Sequence, residues 1–156
     1  MEIKFKLNGK EIKAEAEADT ILLDFLREQG CYSVKRGCET ANCGLCTVLM
    51  NKKSVLSCSI LAVQADGQEI VTLEGMQKEA EEFGDFLANE GAEQCGFCNP
   101  GFIMNVFAML EEIEEPTEEE ILEYLAGNLC RCSGFVGQTR SILKFSKYKK
   151  GGKKEA

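Results

Sequence analysis

Residues 38 to 46 read CETANCGLC, three cysteines in nine positions at C-x4-C-x2-C spacing, and Cys58 follows after eleven further residues. The chain has nine cysteines in 156 residues and no histidine. Cysteines at this density point either to a disulfide framework or to metal ligation. The opening stretch, MEIKFKLNGKEIKAEAEADT, alternates charged and apolar residues and has no apolar core of the kind a signal peptide carries. The expectation is a cytoplasmic protein whose thiols stay reduced, which favours metal over disulfides. Four thiolates from Cys38, Cys43, Cys46 and Cys58 match the plant-type ligand spacing for a [2Fe–2S] cluster. Without histidine a Rieske site is impossible. The loop must wrap a cluster that carries sulfide, so its backbone N–H groups should point at the sulfurs. Gly37 and Gly44 would permit that approach.

Working outward, IKFKL at residues 3 to 7 and IKAEA at 12 to 16 alternate with period two and flank NGK, a two-residue hairpin signal. DTILLDFLREQG places Leu22, Phe25 and Leu26 on one helical stripe, with Asp19 or Thr20 as N-cap and Gly30 past the C-terminus. TVLM and KSVLSCSI read as two strands joined by NKK, and QEIVTLEG as another. Strands around one helix, with a cysteine loop between, predict a small β-grasp domain over residues 1–75.

Beyond residue 76 the β-branched runs stop and helical patterns begin. KEAEEFGDFLANEG, FIMNVFAMLEEI, PTEEEILEYLAGN and VGQTRSILKFSKY predict four helices joined by short loops, a bundle over residues 76–146. In the second, Ile103, Val106, Phe107, Leu110 and Ile113 recur at three- and four-residue spacing behind Asn99 and Pro100 as cap and first-turn signals. In the third, Thr117 and Glu120 occupy capping-box positions, and Ile121, Leu122 and Leu125 share a face. The bundle brings its own cysteines: Cys95 and Cys98 as C-x2-C, and Cys130 and Cys132 as C-x-C. A lone C-x2-C is open to zinc or thiol redox chemistry; paired with C-x-C at the same end of a bundle it reads as a second metal centre. Cys31 has no partner spacing and reads as a small buried apolar residue.

The formal charge of −8 argues against a nucleic-acid partner, which requires a basic face. No apolar run is long enough to span a membrane. Six lysines fall between residues 144 and 154, so residues 147–156 read as a basic tail, either a solvated end or an arm lying on an acidic partner. No histidine is available as a base, and there is neither a G-x-G-x-x-G nor a P-loop, so no hydroxylation site is expected in this chain.

The motifs KRGCETANCGLCTV, SCSILA, TLEG, EQCGFCNPGFIM and GNLCRCSGF, in this order, closely resemble one family, the small two-cluster iron–sulfur subunits of the molybdenum hydroxylases. That group contains xanthine dehydrogenase, aldehyde oxidoreductase, nicotinate dehydrogenase and aerobic carbon monoxide dehydrogenase, and the resemblance runs from about residue 2 to residue 145. It implies an α+β chain: a plant-ferredoxin-like β-grasp domain, then a four-helix-bundle [2Fe–2S] domain whose cluster sits on Cys95, Cys98, Cys130 and Cys132. It further implies a hetero-oligomer with a molybdopterin-binding large subunit and an FAD-binding medium subunit. Electrons would pass from molybdenum through both clusters to FAD. Gln94 and the loop at Cys132 would hydrogen-bond the pterin. The CETANCGLC and EQCGFCNPGF variants look most like xanthine dehydrogenase subunits, which implies a purine substrate; related aldehyde, nicotinate or carbon monoxide dehydrogenases are alternatives. A free-standing two-cluster ferredoxin and a zinc-stabilised interaction module are readings from other classes. Glu39 and Ala41 stand where the family usually has glycine, and Ser133 and Phe135 where it usually has threonine and tyrosine.

Overall fold

The computed structural model describes residues 1–153. The alternating pattern of the N-terminus folds as a hairpin of β1 (Glu2–Leu7) and β2 (Lys10–Glu15), with Leu7 opposite Lys10. That register leaves Asn8 and Gly9 as a two-residue turn, with φ of 50° and 81°. Positive φ at both positions is the geometry for which Asn-Gly is suited. A second hairpin, β3 (Thr47–Met50) and β4 (Lys53–Leu56), turns in the same way through Asn51 and Lys52. With β5 (Glu69–Val71) the sheet order is β2-β1-β5-β3-β4, and β5 runs parallel to β1 and antiparallel to β3. Ile3, Phe5 and Leu7 on one face of β1 enclose Leu22, Phe25 and Leu26 of α1 (Leu22–Glu28). The result is a sheet that grips one helix.

Three local expectations shift. The N-cap of α1 is Ile21 rather than Asp19 or Thr20, and no side chain caps it. The Leu22 N–H instead donates to the Ile60 carbonyl, and Ile21 bridges Leu61, so a tertiary contact does the work of a cap. The strand read through residue 60 stops at Leu56, and a 3₁₀ turn (Ser57–Ser59) carries Cys58. The strand read through residue 75 stops at Val71, and a 3₁₀ turn (Leu73–Gly75) follows.

The TLEG stretch leads the chain from the sheet into the helices. Asn8 brackets Thr72, accepting from its N–H at 2.8 Å and donating to its hydroxyl at 3.0 Å. The Glu74 carboxylate accepts from the Ser33 N–H at 2.8 Å, the Ser33 hydroxyl at 2.6 Å and the Thr72 hydroxyl at 2.6 Å. A methyl at Gly75 would overlap the Asn8 side chain, so the turn lies hard against the first hairpin.

Four helices follow: α2 (Gln77–Asn89), α3 (Asn99–Glu112), α4 (Glu118–Tyr124) and α5 (Phe135–Lys153). Phe83, Phe102, Phe107 and Phe145 form an aromatic centre, with Phe83 and Phe145 rings 5.0 Å apart. α4 has the expected capping box between Thr117 and Glu120, but Leu122 is half exposed, because so short a helix buries only Ile121 and Leu125. α3 departs most from an amphipathic pattern: every residue from Gly101 to Met109 is buried. Its stripe of Ile103, Val106 and Phe107 faces the bundle, while Met104 and Ala108 pack on Leu49 of β3. α3 is therefore core to both halves. The helix starts at Asn99 with Cys98 as N-cap, one residue before the expected cap.

The residues read as a basic tail continue α5 as far as Lys153. Lys149 pairs with Glu82 at 2.8 Å, Lys150 pairs with Glu115, and Tyr148 packs 5.4 Å from the Phe86 ring. The rest of that segment, residues 154–156, lies outside the described residues. Among the described residues, no helix is long and apolar enough to cross a membrane.

Burial works to raise the Glu74 pKa, but the hydrogen bonds from Ser33 and Thr72 outweigh it and hold the carboxyl below its ordinary value. The stabilisation from this carboxylate is complete above the ordinary carboxylate range. It is lost as the pH falls through the lowered folded value. Glu74→Gln should lower the melting temperature at neutral pH and flatten the acid side of the stability profile, measured by thermal unfolding across a pH series.

Candidate functional site

Nine thiols are free among the described residues, and eight of them gather at two places. Cys38, Cys43 and Cys46 lie on the loop between α1 and β3, and Cys58 reaches them from the turn after β4. The Ser57 hydroxyl and N–H both donate to the Cys46 carbonyl, at 2.7 and 3.3 Å, which ties the turn to the loop. The thiols interact as pairs, Cys38 with Cys43 and Cys46 with Cys58. Backbone N–H groups point inward at sulfur as expected. Those of Thr40, Asn42 and Cys43 address Cys38, with the Asn42 nitrogen 3.4 Å from its Sγ, and bring that thiol down to about 6. Burial, with Cys58 alongside, pushes Cys46 up to about 11.

The second set sits at one end of the bundle. Cys95 and Cys98 precede α3, and Cys130 and Cys132 lie on the connection from α4 to α5. The Sγ atoms of Cys95 and Cys132 are 3.5 Å apart, and Cys98 contacts Cys130. The Phe97 N–H lowers the Cys95 pKa. Burial opposes the Cys130 thiolate, yet the Ser133 and Cys132 N–H groups prevail and its pKa falls. Cys98 is driven to about 11 by burial and the adjacent Cys130. Cys95 and Cys132 are exposed, as is Gln94, so the fold brings Gln94 and Cys132 to the same open end.

Each site offers four thiols in two pairs, a donor set that fits a binuclear cluster. A structural zinc draws its sulfurs to about 2.3 Å from a single centre. Among the described residues, no three cysteine or carboxylate side chains converge in that way. Two pairs of thiols, with N–H donors around them, would offer each of two irons two sulfur ligands. Cys31 stands apart, buried beside Asn8 and Thr72, and burial raises its pKa.

Of the residues joining the two sites, Cys43 and Gly44 were singled out in the sequence only for the first cysteine loop, and the others were not. The Leu129 N–H donates to the Cys43 carbonyl at 3.0 Å, and Leu129 adjoins Cys130. Asn128, 6% exposed, donates to the Gly44 and Gly101 carbonyls at 3.4 Å and accepts from Asn105 at 2.6 Å. A methyl at Gly44 would strike Gly127 and Asn128, and one at Gly101 would strike Gly44. Gly44 thus serves the seam between the halves as well as its own loop. The one available signal was an asparagine beside a glycine just before C-x-C.

Ala41 has a φ of 55°, in the left-handed region. Glycine would adopt it freely, whereas alanine bears a cost of about 1 kcal/mol.

A family described as a 2Fe-2S iron-sulfur cluster binding domain matches residues 5–83, and one described as a [2Fe-2S] binding domain matches residues 72–143. The chain is a tandem of two [2Fe–2S]-binding domains. It is 44% identical over 151 residues to the xanthine dehydrogenase iron-sulfur-binding subunit of Escherichia coli O157:H7, covering 94% of this chain and 95% of that one. It is 42% identical over 137 residues to the nicotinate dehydrogenase small FeS subunit of Eubacterium barkeri, covering 86% and 87%. Among solved structures, quinoline 2-oxidoreductase from Pseudomonas putida 86 has a chain with TM-score 0.88 and 36% identity, covering 100% of this chain and 98% of that one. Aldehyde oxidoreductase from Desulfovibrio gigas matches with TM-score 0.90 and 31% identity, over 97% of this chain but 17% of that much longer one. The chain belongs to the family of small two-cluster iron–sulfur subunits of the molybdenum hydroxylases, and its role is electron transfer within an oxidoreductase complex.

Three substitutions test the site. Ala41→Gly should stabilise the metal-loaded chain by up to about 1 kcal/mol, read as a raised melting temperature. Cys31→Ser should keep the iron content of the unsubstituted chain, whereas Cys98→Ser should lose about half, by colorimetric iron assay.

Proposed function

We propose that Cys38, Cys43, Cys46 and Cys58 hold one [2Fe–2S] cluster and Cys95, Cys98, Cys130 and Cys132 the other. The chain then relays electrons from a molybdopterin-binding large subunit towards an FAD-binding medium subunit. The observation that carries this reading is the hydrogen bond from the Leu129 N–H to the Cys43 carbonyl, which ties the loops of the two thiol sets to each other. Each cluster, when bound, takes up and gives back one electron at a time. The protein's part is to hold the thiolates in pairs, direct N–H donors at them, and fix the distance between the sets. Gln94 and Cys132 are the proposed contacts to the pterin, supported by their exposure at the open end of the second set.

For the substrate of the whole complex we favour xanthine or another purine, in line with similarity to xanthine dehydrogenase subunits of 44% and 37% identity. Nicotinate is the second reading, because the relative acting on it is 42% identical. The free thiols of the described residues accord with residence in the cytoplasm.

The test is electron paramagnetic resonance on the native complex isolated anaerobically through this chain. One sample is mixed with xanthine, another with nicotinate and a third with dithionite. Two distinct [2Fe–2S] signals with xanthine are expected. Both signals with nicotinate and none with xanthine would reassign the substrate. Fewer than two signals with dithionite would overturn the two-cluster assignment, and recovery of the chain without molybdenum or flavin would overturn its partners.

A further inference from the structure

Lys35 belongs to the ligand loop of the first domain, yet its side chain crosses to the second. Its Nζ donates to the Phe97 carbonyl at 3.2 Å and stands 4.7 Å from the centroid of the Phe97 ring. Phe97 lies between Cys95 and Cys98 and is 50% exposed. The cation above the ring and the bond to the carbonyl together clamp this loop from the other domain.

The carbonyl that Lys35 caps shares a peptide unit with the Cys98 N–H. That N–H in turn addresses the Cys98 sulfur. An ammonium on the carbonyl polarises the unit, strengthens the N–H as a donor to sulfur, and sets a full positive charge beside the loop. The neighbouring Arg36 is committed elsewhere, to Asp24 at 2.6 Å and Glu39 at 3.6 Å. Lys35 takes part in none of the ion pairs among the described residues.

A [2Fe–2S] cluster gains one negative charge on reduction, and its potential responds to nearby charge and to hydrogen bonds on its sulfurs. A fixed cation favours the reduced form. We propose that Lys35 is a positioning residue of the second metal centre. Supplied by the first domain, it clamps the loop of residues 95 to 98 and raises the reduction potential of the cluster that loop holds. The proposal rests on the cluster assignment above. In the titration that tests it, dithionite supplies one electron, which converts one ferric ion to ferrous.

The experiment is an anaerobic redox titration of the native complex followed by electron paramagnetic resonance, with iron content measured in parallel. The second-cluster signal is the one missing from Cys98→Ser. Lys35→Met should keep its iron and weaken the hold of the second cluster on its electron about tenfold, a 59 mV downward shift for a one-electron couple. The first-cluster midpoint should move less, and Lys35→Arg should remain near the unsubstituted chain. Lys35→Gln keeps a donor for the Phe97 carbonyl without the charge, and it decides the matter if Lys35→Met loses iron. An unchanged second midpoint in the iron-loaded variant, or a larger shift at the first, overturns the proposal. Half the expected iron in the unsubstituted chain would instead overturn the assignment on which it rests.

Discussion

The seam at Gly44, Gly101 and Asn128 is the constraint on which the rest of the structure depends. There a helix and a ligand loop meet backbone to backbone, at an approach that no Cβ would allow. Asn128 fills the polar side of the junction with hydrogen bonds to both carbonyls and to Asn105. The Gly44 carbonyl also accepts from the Thr47 hydroxyl at 2.7 Å and the Thr47 N–H at 3.2 Å, so Asn128 adds a link between the halves to a carbonyl that is already satisfied within its own domain. On the apolar side, Met104 and Ala108 of α3 pack on Leu49 of the sheet. Two domains that each have their own core are packed directly against each other, as a fixed spacing between two redox centres requires.

The same thiol chemistry is placed in different surroundings within each set. Cys38 is drawn down to about 6 by three backbone N–H groups, while burial takes Cys46 and Cys98 up to about 11. Ligation needs the thiolate. As ligands, in the assignment proposed above, the buried Cys46 and Cys98 would have to release protons on loading, which would couple loading to pH. The two sets also differ in access: Cys43 and Cys46 are buried, and Cys95 and Cys132 are exposed. The more open set is the one beside Gln94.

Much of the fold could be read from local pattern, since period-two alternation, an Asn-Gly turn and a capping box act over a few residues and need no partner. The strands at residues 3 to 7 and 47 to 50, the Asn8 and Gly9 turn and the cap at Thr117 all stand where those signals put them. Misread features were those a distant contact decides. Ile21 needs no side-chain cap because Ile60 accepts from the first amide of α1. The strand before Cys58 ends early because Ser57 is drawn to Cys46. The lysine-rich end stays helical because Tyr148, Lys149 and Lys150 have aromatic or acidic partners on other elements.

Cysteine spacing, together with the absence of histidine, determined that sulfur would dominate the chemistry of this protein: eight cysteines in two sets of four, the first at the plant-type spacing that suits iron with bridging sulfide. Spacing suffices because a cluster's size dictates how far apart along a loop its ligands must lie. Which residues join the two sets was decided by tertiary structure alone. The Leu129 bond to Cys43, the Asn128 seam, the double-sided burial of α3 and the reach of Lys35 to Phe97 each pair residues more than fifty positions apart. No periodicity or motif encodes such a pairing, because it arises only when two separately folded cores are packed together.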